Sequence, residues 1–81
     1  MYVIAIHSVS DPEQFWGGQL EMPAGTSLPT VAPNADGTRA VCIWESDSVD
    51  TVKQVVEGAA GEISSNEYFA VNAENAQGLP S

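Results

Sequence analysis

Eighty-one residues make a single small domain, with residues 74–81 read as a tail, and eleven acids against two bases (Arg39, Lys53) give a net charge of −9. So few cations exclude a nucleic-acid surface, which needs clustered Lys and Arg to neutralise phosphates, and an anionic membrane would repel the chain. The one cysteine excludes an internal disulfide and no apolar run is long enough to span a bilayer, so the chain is read as cytoplasmic.

The first strand is expected over Tyr2–Val9, YVIAIHSV, which is rich in β-branched residues and ends before Asp11-Pro12. Ser10 or Asp11 then caps a short helix with Pro12 in its first turn, closed by Gly17-Gly18. Phe15 and Trp16 are its large apolar anchors. Gln19–Ser27 reads as a loop. Leu28–Ala35 is a weak strand whose Pro29 and Pro33 cannot donate to a ladder, so it belongs at an edge. Asn34-Ala35-Asp36-Gly37 supplies a tight turn.

The clearest stretch is Arg39–Gly58. Val41-Cys42-Ile43-Trp44 is a continuous apolar run, as in a strand covered on both faces, and belongs mid-sheet. Ser46, Asp47 and Ser48 are each good N-caps. Val49, Val52, Val55, Val56 and Ala59 follow at helical spacing, with Asp50, Lys53, Gln54 and Glu57 turned to solvent. Gly58 or Gly61 ends this helix. Ser65–Ala73 is the last strand.

Strand, helix, strand, strand, helix, strand is the ferredoxin-like α+β arrangement, a four-stranded sheet with both helices on one face. The first and third strands are expected at its centre, parallel to each other, with the second and fourth at the edges. Side chains alternate along strands. Ile4, Ile6, Val41, Ile43, Phe69 and Val71 form the aliphatic set expected beneath the helices. Val3, Ala5, His7, Ala40, Cys42, Trp44, Tyr68, Ala70 and Asn72 then share the opposite face. One layer of helices leaves that face for a ligand or a second copy to cover.

His7, the only histidine, is the candidate acid/base residue. It reads equally as a half-buried strand residue with a satisfied hydrogen bond. Trp16, Trp44 and Tyr68 would line a pocket for a flat ligand, with Glu45 at the strand end, or form a dimer interface, where aromatics are enriched. Imidazole and thiolate from His7 and Cys42 would suit nickel or zinc, yet two donors do not close a four-ligand site. Cys42 also reads as a small buried hydrophobe. No catalytic triad and no phosphate-binding glycine loop is present.

The span Ala40–Val56, with Val41-Cys42-Ile43-Trp44-Glu45 leading into Asp50, Thr51 and Val52, resembles a family of small ferredoxin-like domains, largely of unknown function, that includes an actinobacterial nickel-binding protein. The histidine common in that family's helix falls at Val55 here. The resemblance implies pairing of two sheets into a dimeric α/β barrel, a barrel that holds a small organic ligand, and in some members cofactor-free catalysis. The expected function is therefore a homodimer holding a small organic molecule on its open sheet face, with His7 as acid/base residue and no cofactor. The alternatives are a nickel-type or zinc metal-binding protein, with His7 and Cys42 as inner ligands, and a dimerisation module without chemistry.

Overall fold

A computed structural model describes residues 1–80 as β1 (Tyr2–Val9), α1 (Pro12–Gly17), β2 (Ser27–Pro33), β3 (Arg39–Glu45), α2 (Val49–Ala60) and β4 (Ser64–Ala70). The strands form one sheet in the order β2-β3-β1-β4, a ferredoxin-like α+β fold. Every neighbouring pair is antiparallel, so the central strands β1 and β3 run in opposite directions rather than parallel as expected. The reason is topological. Each helical crossover skips one place in the sheet, and the strand that fills the gap is antiparallel to both of its neighbours. Among the described residues, no helix is long and apolar enough to cross a membrane.

Local signals set the element ends. Asp11 caps α1 by accepting the Gln14 N–H at 3.1 Å, and Ser48 caps α2 by accepting that of Thr51 at 3.1 Å. Gly58 lies inside α2, which ends at Gly61, whose N–H donates to the Glu57 carbonyl at 3.0 Å. In the β2–β3 turn Gly37 has φ 76°, and its N–H donates to the Asn34 carbonyl at 3.2 Å. β2 is an edge strand, as its prolines require, with a register irregularity between Ser27 and Thr30. β4 ends at Ala70, earlier than the expected Ala73. The tail then folds back on its own chain, and the Tyr2 hydroxyl donates to the Pro80 carbonyl at 2.5 Å.

The core lies between sheet and helices. It consists of Val3, Ala5, Cys42 and Trp44 from the sheet and Val52 and Val56 from α2. The two faces are therefore the reverse of those expected. Val3, Ala5, His7, Cys42 and Trp44 face the helices, while Val41 and Phe69 are 41% and 47% exposed on the outer side. Helix packing supplies a physical reason. α2 lays Val52 and Val56 onto the sheet, and small side chains such as Ala5 and Cys42 let it approach closely. α1 has six residues and buries none of them, so large sheet residues, Trp44 and His7, fill volume that a longer helix would occupy.

Candidate functional site

A cavity of ≈ 280 Å³ lies between the inner face of the sheet and the two helices. His7 of β1, Phe15 and Trp16 of α1, Leu28 of β2, Trp44 of β3 and Val56 of α2 are part of its wall, and no Lys, Arg, Asp or Glu lines it. A wider depression of ≈ 570 Å³ between the Gln19–Pro23 loop and α2 holds none of the candidate residues, and most of its lining is exposed.

His7 is 2% exposed, and its Nδ1 lies 2.6 Å from Asn66 Oδ1 on β4. The ring packs at 5.3 Å from that of Phe15, tilted by 57°. Asn66 is oriented by its other end: Nδ2 donates to Glu57 Oε2 at 2.7 Å and to Ser64 Oγ at 3.0 Å. The amide oxygen therefore faces His7. It can only accept, so Nδ1 carries the proton and Nε2 holds the lone pair of the neutral ring. Glu57 Oε2 also accepts from the Tyr68 hydroxyl at 2.5 Å. The bonds from Tyr68 and then Asn66 hold the Glu57 carboxyl below its ordinary range. Burial, and then the bond to Glu57, push the Tyr68 hydroxyl up.

Trp44 is 1% exposed, and its Nε1–H has no acceptor among the described residues. An unmet buried donor costs about 1–3 kcal/mol. Trp16, in contrast, donates its Nε1–H to the Gly37 carbonyl at 2.9 Å and meets Phe15 edge-on at 4.8 Å. Cys42 lies on the inner face and lines the same cavity, and burial pushes its thiol up to about 11. In the β1–β3 register Cys42 pairs with Ala5 and His7 with Ala40, which makes the two candidate metal donors diagonal neighbours. Among the described residues no group of three or more His, Cys, Asp or Glu is placed to hold an ion.

His7 and Trp44 thus share one cavity wall with Trp16, on the helix side and not on the open face where His7 and Trp44 were expected. Tyr68 packs against the core and reaches the network through Glu57 rather than the cavity. Glu45 pairs with Tyr2 at the far end of the sheet and stands apart from the cavity. Sequence reasoning turned Glu57 to solvent and missed the bond that it accepts from Asn66. Asn66 shares its parity with Tyr68, and a polar residue on the covered face of a sheet signals a buried partner. Phe15, expected only as an anchor, is the aromatic against His7. No protein-family model matches the chain, and neither a curated protein nor a solved structure matches it.

Proposed function

We propose that this chain binds a small, neutral organic molecule in the cavity between its helices and its sheet. The observation that carries the reading is the cavity itself, enclosed by His7, Phe15, Trp16 and Trp44 beneath the helices. The wall has aromatic faces from Phe15 and Trp16 and no charged side chain, which suits a flat, uncharged molecule. At ≈ 280 Å³ the cavity is at the small end of ligand sites, which run from about 300 to 1,000 Å³. If the chain is an enzyme, His7 is its base. Native mass spectrometry of freshly purified protein tests the reading: a retained ligand gives a discrete excess mass, which Leu28→Trp abolishes by filling the cavity. Bare chain mass, with no response of tryptophan fluorescence to neutral aromatic fragments, would contradict it.

A second reading concerns the outer face and is compatible with the first. Ile4, Ile6, Val41, Ile43 and Phe69 sit there on three neighbouring strands, where a solvated antiparallel sheet alternates to polar residues. Arg39 and Glu45 lie at opposite ends of β3 with the parity of that face. A two-fold axis across the strands would set Arg39 of one copy against Glu45 of the other, so the face is complementary to itself. The homodimer expected from the sequence would form here. A nickel or zinc site at His7 and Cys42 would need further donors from outside this set, and unchanged nickel affinity in His7→Ala and Cys42→Ser would remove both as ligands.

A further inference from the structure

Resting on the cavity reading, we infer that the cavity takes a neutral hydroxyl compound, a phenol or an alcohol, that donates to His7 Nε2, and that Asn66 is the positioning residue that fixes His7 as an acceptor there. The protons around Asn66 are already committed. The Ser64 hydroxyl donates to the Ala60 carbonyl at 2.6 Å, so its oxygen can only accept from Asn66 Nδ2. The Tyr68 hydroxyl donates to Glu57 Oε2, and that carboxyl ionises below its ordinary range, so it too can only accept from Asn66. The end of the Asn66 amide that faces these two oxygens is therefore the NH₂ end. Turning it over would set oxygen against oxygen at 2.7 Å and lose both bonds. Asn66 Oδ1 then faces His7 at 2.6 Å with no proton to give, and the imidazole proton is drawn to Nδ1.

Nε2 is left with a lone pair. No group among the described residues donates to it, and it is not sealed from solvent although His7 is only 2% exposed. The cavity that His7 lines is the space onto which it opens. A buried acceptor without a partner calls for a donor. A ketone or an ether would bring one lone pair against another. Charge narrows the class further. An anion would meet no Lys or Arg in the wall, and an ammonium group would meet no carboxylate there. A phenol or an alcohol supplies the donor without a charge, and the faces of Phe15 and Trp16 favour an aromatic body.

Calorimetric titration with three neutral probes tests this, at about pH 8, where an ordinary imidazole is neutral. The probes are para-cresol, para-fluorotoluene, which matches its shape without the donor, and para-methylanisole, which offers an acceptor alone. The expected result is about tenfold tighter binding of para-cresol than of either control, the worth of one well-placed hydrogen bond. Nitrogen NMR of the single histidine reads the tautomer directly in the ligand-free protein and should find the proton on Nδ1. Asn66→Ala should return it to Nε2, the site preferred by free imidazole, and erase the preference for para-cresol. Equal binding of all three probes overturns this inference and leaves the cavity reading standing. Binding of none overturns both. A proton on Nε2 in the unaltered protein overturns the role given to Asn66 whether or not any variant folds.

Discussion

Cys42 and Trp44 lie two residues apart on one strand and one face, and burial affects them differently. The thiol has a weak donor and tolerates an apolar setting, and its ionisation is pushed up from an ordinary 9.0 to about 11. Cys42 should therefore react slowly with Ellman's reagent at neutral pH and fast once the chain unfolds; rapid labelling of native protein would contradict the packing. The same shift has a sign in stability. The folded state holds the Cys42 proton more tightly than the unfolded one, so its contribution is full below pH 9 and is lost as pH rises toward 11. Cys42→Ala should flatten the melting temperature across that window. Glu57 behaves oppositely: its lowered ionisation adds stability above the ordinary carboxylate range, lost as pH falls through the folded value. Acid titration of Glu57→Gln should lack that step. Trp44 is the residue whose polar atom burial does not satisfy. Trp44→Phe keeps a large aromatic ring and removes the unmet N–H, so it should destabilise the domain less than Trp44→Leu in denaturant unfolding.

Elements succeed or fail here on local chemistry. α1 buries no side chain of its own and is tied to the β2–β3 turn by the bond from Trp16 to Gly37. Gly37 has φ 76°, and a Cβ there would sit 2.8 Å from Trp16 Nε1. Gly37→Ala should cost about 1–2 kcal/mol in denaturant unfolding from the left-handed backbone alone, with a further loss from displacing Trp16. Ser48→Ala should cost about 0.5–2 kcal/mol by uncapping α2. These features were readable because each depends on neighbours in sequence: Asp11 three residues before Gln14, Ser48 three before Thr51, Asn34 to Gly37 around one turn. The facing of the strands was not readable in the same way. Alternation sorts Ile4 and Ile6 from Val3, Ala5 and His7, but it does not say which set lies inside. The bulk of the isoleucines suggested the core, whereas α2 packs over the smaller row. The link between Asn66 and Glu57 stayed hidden because it joins β4 to α2, a relation that no spacing within one element encodes.

At the scale of the whole molecule, the reversed faces separate two roles that one face was expected to share. The aromatic and polar residues lie under the helices around a cavity, and the aliphatic ones lie on the outer side. A small domain gains stability by covering such a face. Light scattering should find a dimer, and Phe69→Lys should yield a folded monomer that still binds its ligand, because Phe69 is exposed and remote from the cavity wall. Monomeric unaltered protein at high concentration would remove the dimer without touching the cavity. The cavity itself is tested most directly by the indole N–H resonances, of which the chain has two. Trp16 already donates to Gly37, whereas Trp44 has no acceptor among the described residues. On titration with a neutral aromatic fragment both resonances should shift, because the rings of Trp16 and Trp44 both line the cavity. An unmoved Trp44 resonance, with shifts confined to the outer face around Val41 and Phe69, would contradict the placement of the ligand beneath the helices.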